Sequence, residues 1–267
     1  TGVTPVAGFT LLTGATDITY ESAGDISFPA LASAAVVTLK DNSKTLSVSL
    51  PKLKTVTTLK TSNNHVLAFA KGTSVDLSSL SRYGADLEIS VKSGSINLAS
   101  LESVDADGKE YTVSGAYDLT LSGASVIELD KFTRGGITAN KVKTVDFPLW
   151  KGTTGSAFED ATKVVLPSIT GGVSINLSNF AEKAQDVHFI GAQEAISSVA
   201  YNYPSFTTGS SMNTEMTKLK LEGKFQTVNI NASELTDLDL TGNANYVTVA
   251  NTSITDMVLG HTSKVDA

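Results

Sequence analysis

Three segments near the end of the chain repeat at a fixed interval: MTKLKLEG from Met216, LTDLDLTG from Leu235 and ITDMVLG from Ile254 start 19 residues apart in both steps. A constant period of this length constrains a fold more than composition does, because each repeat is then one small unit that buries its apolar face only by stacking on its neighbours. A second series interleaves with the first. VNI from Val228 and VTV from Val247 are also 19 apart, so each repeat holds two short alternating segments. Alternation at period two marks a strand with one buried face. Each coil therefore supplies two strands, and stacked coils pair like with like in parallel sheets. The alternation predicts Leu219, Leu221, Leu238, Leu240, Val247 and Val249 as inward residues.

The first two thirds carry a looser pattern: apolar-x-apolar, then Pro, Ser, Ala or Asp, any residue, and apolar again. Eight copies begin at Ile26 (ISFPAL), Val48 (VSLPKL), Val75 (VDLSSL), Ile96 (INLASL), Ile127 (IELDKF), Val145 (VDFPLW), Val164 (VVLPSI) and Ile175 (INLSNF). Val48 and Leu50 are inward by the same rule. Pro29, Pro51, Pro148 and Pro167 follow the apolar pair directly. Proline has no N–H for the ladder, so these positions predict corners. Spacings of 11 to 31 residues leave room for extra strands such as ADLEIS at 85–90 and YDLTLS at 117–122. SLSRYGADL at 79–87 and FAEKAQDV at 180–187 allow a short helical turn at most. The expectation is an all-β, irregular, right-handed parallel β-solenoid with coils of about 19–25 residues. It forms one domain over 1–267, with irregular coils in 1–180, an insertion-rich stretch in 181–215 and regular coils in 216–267.

Composition supports a folded chain and narrows its partners. With 41% hydrophobic and 18% charged residues it is too apolar for a disordered segment. A net charge of -7 and only two arginines, Arg82 and Arg134, lack the positive field that a phosphate backbone requires, so nucleic acid is excluded as an expected partner. No apolar run reaches the roughly twenty residues that span a bilayer, and the start carries no charged-then-apolar leader. A chain opening at Thr1 reads as a processed or expressed fragment, and ITDMVLGHTSKVDA predicts an open or truncated solenoid end. Zero cysteines excludes disulfides and thiolate metal sites and leaves the compartment open.

The segment LSVSLPKLKTVTTLKTSNN at 46–64 resembles the repeat of receptor L-domains and of Ecm33-like fungal cell-wall proteins, whose coils read leucine, serine-rich strand, L-P-x-L, then a second strand ending in Asn. Looser echoes cover about two thirds of the chain, whereas the 19-residue coils look like short leucine-rich repeats. The cysteines and the Ser-rich anchor tail often met in that family are missing. The resemblance implies an L-domain-like solenoid in a bacterial protein at the cell surface or outside the cell, with a binding, adhesive or wall-organising role toward protein or glycan.

Candidate chemistry is sparse, and no cofactor is expected. No nucleophile elbow, phosphate loop or dinucleotide fingerprint occurs. Asp105, Asp107 and Glu110 surround Gly108 with oxygens suited to Ca²⁺, but a solvated turn has the same composition. His65, His188 and His261 lie in no metal-ligand spacing. Adjacent Glu159 and Asp160 would point apart on a strand, which does not suit a glycosidase pair flanking one bond. Asn176, Asn231 and Asn251 stand in glycosylation sequons or act as turn residues. Tyr201, Tyr203 and Phe206 in AYNYPSF, with Trp150 just after VDFPL, are candidate binding aromatics. Such rings either stack on a partner from an inserted loop or fold back over the coil interior. The leading functional expectation is a non-enzymatic binding module. The alternatives are a β-helix enzyme acting on polysaccharide, which needs carboxylates and a base converging from adjacent coils, and an ice-binding protein, which needs a T-x-T array in register.

Overall fold

Strands in this protein are short because each one spans only one wall of a coil. A computed structural model describes residues 10–21, 24–40, 45, 47–104, 118–133, 135–150, 156–158, 160–166, 174–176, 181, 183–191, 203–208, 215–250, 252–260 and 265–266. All assigned strand pairs between described elements are parallel, and among these residues there is no α-helix. The chain is an all-β parallel β-solenoid, in two compact units, Thr1–Val142 and Lys143–Ala267.

In the first unit, β2 (Ile26–Ser27), β4 (Ser47–Ser49), β7 (Ser74–Asp76), β9 (Ser95–Asn97) and β11 (Val126–Glu128) form one wall. They set Ile26, Val48, Val75, Ile96 and Ile127 in a single file. The next apolar position (Phe28, Leu50, Leu77, Leu98, Leu129) and the last (Leu31, Leu53, Leu80, Leu101, Phe132) are all buried. Between them runs a β-turn, closed each time by the last residue's N–H donating to the carbonyl of the second, as from Leu53 to Leu50 at 3.1 Å and from Leu101 to Leu98 at 2.9 Å. Pro29 and Pro51 occupy the turn position that favours a fixed φ of about −65°. Where that position is not proline its N–H needs an acceptor. Asp76 Oδ1 receives it from Ser78 at 3.0 Å, and Asn97 Oδ1 from Ala99 at 3.1 Å.

The opposite side begins as the sheet β1 (Gly14–Glu21), β3 (Ser33–Lys40) and β5 (Thr55–Lys60), and continues as β6 (Val66–Ala68), β8 (Leu87–Ser90), β10 (Asp118–Ser122) and β12 (Gly136–Ala139). β5 is the last strand of its sheet, so its Leu59 N–H has no strand to meet. The hydroxyl of Tyr83 accepts that proton at 3.0 Å and also lies 2.7 Å from His65 Nδ1. Tyr83 belongs to the 79–87 segment, which carries no helix, and its side chain is buried. Burial raises the pKa of its phenol, partly offset by the Leu59 hydrogen bond.

In the second unit, β13 (Thr144–Asp146), β15 (Lys163–Leu166), β17 (Asp186–Ile190), β19 (Lys218–Glu222), β21 (Asp237–Leu240) and β23 (Asp256–Leu259) make one wall. The other consists of β16 (Ser174–Asn176), β18 (Ser205–Thr207), β20 (Lys224–Asn231), β22 (Asn243–Ala250) and β24 (Val265–Asp266). Val145, Val164, Val187, Leu219, Leu238 and Met257 stack in register along the first wall. All but Met257 are buried. Met257 is 46% exposed, because β23 is the outermost described strand of its sheet. Of the inward residues expected from sequence, Val48, Leu50, Leu219, Leu221, Leu238, Leu240 and Val247 are buried. Val249 is only half-buried: it pairs with Ile230, but β24 reaches only Val247 and Thr248.

Two corner devices explain the repeated letters of the regular coils. The hydroxyls of Thr217, Thr236 and Thr255 each donate at 3.3 Å to the carbonyl of the matching residue one coil earlier (Gln185, Thr217 and Thr236). Their own N–H groups converge on the same carbonyls at 3.0–3.1 Å. At the corner between the two walls, Gly191, Gly223, Gly242 and Gly260 follow one another. Gly223 has φ +79°, and a Cβ on Gly242 would sit 2.3 Å from the carbonyl oxygen of Gly223.

Tyr83→Phe should cost about 1–3 kcal/mol in denaturant unfolding, since it leaves the buried Leu59 N–H without an acceptor. Gly242→Ala should cost about 1–3 kcal/mol by overpacking the corner. An alanine there that unfolds at the wild-type midpoint would mean that the corner relaxes freely.

Candidate functional site

Of the aromatic residues singled out in the sequence, Trp150 and Phe206 are buried. Trp150 is 0% exposed and is the last apolar residue of the corner turn after Phe147. Its indole packs edge-on against Phe158 with ring centroids 6.0 Å apart. Phe206 is 1% exposed, lies on β18 and meets Phe189 in a T-shaped contact at 5.5 Å. The loop expected around it is therefore a strand at residues 205–207. The sequence held the signal: SFT has the form of SVS, SVD and SIN at 47–49, 74–76 and 95–97, an apolar residue preceded by Ser and followed by a small polar one. Tyr203 is half-buried, with the Lys224 ammonium 6.0 Å from its ring centroid. Tyr201, Asp105, Asp107, Glu110, Glu159 and His261 lie outside the described residues. Asp160 forms an ion pair with Lys183 at 2.7 Å. Among the described residues no group of three or more His, Cys, Asp or Glu is placed to hold a metal ion, and no helix is long and apolar enough to cross a membrane.

What the fold does bring together is outward-facing side chains in files across each wall of the second unit. On the wall β15–β17–β19–β21, one file reads Lys163, Asp186, Lys218, Asp237, and the next reads Val165, His188, Lys220, Asp239. The other wall has a different character. Asn176, Thr207, Asn229 and Thr248 form one file, and Thr227 pairs with Tyr246 in another. One wall is a lattice of alternating charge, and its neighbour in the same coils is polar without charge along these files as far as β22, where Asp266 of β24 comes next to Thr248.

The densest cluster on the charged wall is His188, Lys220, Glu222 and Asp239, drawn from three successive coils. Lys220 Nζ pairs with Glu222 and stands 3.9 Å from Asp239. His188 Nε2 is 3.6 Å from Glu222 and makes no hydrogen bond. The hydrogen bond from Lys220 holds the Glu222 carboxyl below the usual carboxylate range, against an opposing effect of desolvation. The same bond raises Lys220. Proton transfer near neutral pH needs the reverse, a carboxyl raised or an amine lowered toward the working pH. The Lys220–Glu222 pair is thus built to stay charged. Sequence reading missed the cluster because His188 lies outside the 19-residue repeat, so its place beside Lys220 could not be read from the period.

The chain matches no protein-family model, no curated protein and no solved structure.

Because Glu222 is lowered in the fold, its pairing stabilises fully above the unfolded carboxylate pKa of about 4.3 and fades as pH falls through the lower folded value. Lys220, being raised, contributes below its unfolded pKa of about 10.4 and loses that contribution as pH rises through the folded value. Both side chains are partly exposed, so the effect is modest. The stability gap between wild type and Glu222→Gln should be flat from about pH 6 to 9 and should close in acid below about pH 4. A gap that persists unchanged at pH 3 would show that the ion pair is not its source.

Proposed function

We propose that this chain is a non-enzymatic binding module, at a cell surface or outside the cell, that presents solenoid walls to a protein or glycan partner. The observation that carries the reading is the pair of extended, in-register outer walls on rigid strands, which offer wide polar contact. The L-P-x-L coil resemblance to L-domain and Ecm33-like cell-wall proteins supports the extracellular setting.

A polysaccharide-cleaving enzyme is the second reading, and His188, Lys220, Glu222 and Asp239 are the observation in its favour, since they bring carboxylates and bases together from adjacent coils. Their mutual pairing, with Glu222 lowered and Lys220 raised, argues against it. For ice binding, the threonines that recur every 19 residues, Thr217, Thr236 and Thr255, run in single file and donate their hydroxyl protons to backbone carbonyls, unlike a T-x-T plane.

The test is to incubate the purified full chain with a panel of insoluble neutral and acidic polysaccharides and with untreated and protease-treated cell-envelope fractions. Retention of the protein without release of reducing ends or unsaturated uronides is expected. Product release that disappears in Glu222→Gln would replace this reading with the enzymatic one.

A further inference from the structure

We infer that the outer wall of β18, β20 and β22 binds an uncharged polysaccharide chain; this rests on the binding-module reading and names its ligand class. Charge is segregated between the two walls of the second unit. The same coils that place Lys218, Lys220, Asp237 and Asp239 on one wall place Thr207, Thr227, Asn229, Tyr246 and Thr248 on the other. A partner rich in charge gains nothing from that second wall. A nucleotide, phosphate or uronate ligand would need cations there, and the charged residues next to β18, β20 and β22 on this wall lie at its margins: Lys224 at the start of β20 against Tyr203, and Asp266 on β24.

A neutral glycan fits the chemistry that is present. Amide and hydroxyl side chains alternate along the file Asn176, Thr207, Asn229, Thr248, supplying both donors and acceptors to sugar hydroxyls. Strands about 4.8 Å apart repeat that file at close to the length of one pyranose in an extended chain. Tyr246 is 54% exposed although it lies mid-strand, and its ring adjoins the file. An exposed aromatic on a rigid strand offers an apolar face to a sugar ring with little rotamer entropy to lose. Nearby, the Asn245 amide donates to Gln226 Oε1 at 3.1 Å, which fixes the two side chains beside Tyr246. That bond orders two polar side chains next to Tyr246 before a ligand arrives, which lowers the entropic cost of any contact they make.

Native gel electrophoresis of the full chain through gels containing hydroxyethylcellulose, galactomannan or polygalacturonate tests this directly. At least one of the two neutral polymers should retard the protein. Tyr246→Ala and Asn229→Ala should each weaken the apparent affinity by about tenfold, as expected for losing a central contact. Glu222→Gln on the charged wall should be retarded as strongly as wild type when each is compared with its own mobility in a polymer-free gel, since the substitution itself changes net charge. Tyr246 is exposed, so its variant should keep the wild-type melting temperature, which separates lost binding from lost fold. Retardation by polygalacturonate alone, or neutral-polymer retardation untouched by both wall substitutions, overturns the assignment of this wall while leaving the binding-module reading standing. Failure to bind any polysaccharide or envelope fraction overturns both.

Discussion

The structure depends on covering every inward side chain with its counterpart from the next coil. One coil of this chain has two strands of a few residues and cannot enclose a core. Stacking in register supplies the missing wall and continues the backbone hydrogen-bond ladder in the same step. The files Val145 to Met257 and Ile26 to Ile127 are direct expressions of that constraint. So is the exposure of Met257: the same inward position that is buried throughout its file becomes half open where no described strand follows it.

Around this stack the corners do the work that loops do elsewhere. A turn that needs no N–H is made by proline, and one that has an N–H to satisfy is made by Asp76 or Asn97 reaching forward to it. Where one sheet stops at β5, a tyrosine from the following coils replaces the absent strand for a single hydrogen bond. Each solution is local, yet each exists because a backbone group would otherwise be shut away from water without a partner.

Much of this could be read from the sequence, and the limits have physical causes. The 19-residue period fixed the register of Leu219, Leu221, Leu238 and Leu240 because identical coils leave no freedom in how they stack. The L-P-x-L pattern located the corners, since proline constrains its own φ wherever it sits. Trp150 and Phe206 were harder to place. Their size suggested contact surfaces, although the same buried position that other coils fill with leucine or valine holds a large ring here. Tyr83 gave no signal, because its role arises only from the ending of a sheet. The two outer walls were half legible: alternation told which residues point out, but the lateral order of charges requires knowing which strands adjoin.

That lateral order sets a rule for how such a chain can change length. Along Lys163, Asp186, Lys218 and Asp237 every charge has an opposite one beside it, and the alternation breaks only at Asp256 on the outermost described strand. Losing one whole coil from the middle would preserve the buried files perfectly and yet bring like charges face to face, which destabilises neighbouring strands. Loss or duplication of two adjacent coils would keep both the core and the alternation. The backbone of this solenoid counts in single coils, and its charged surface counts in pairs.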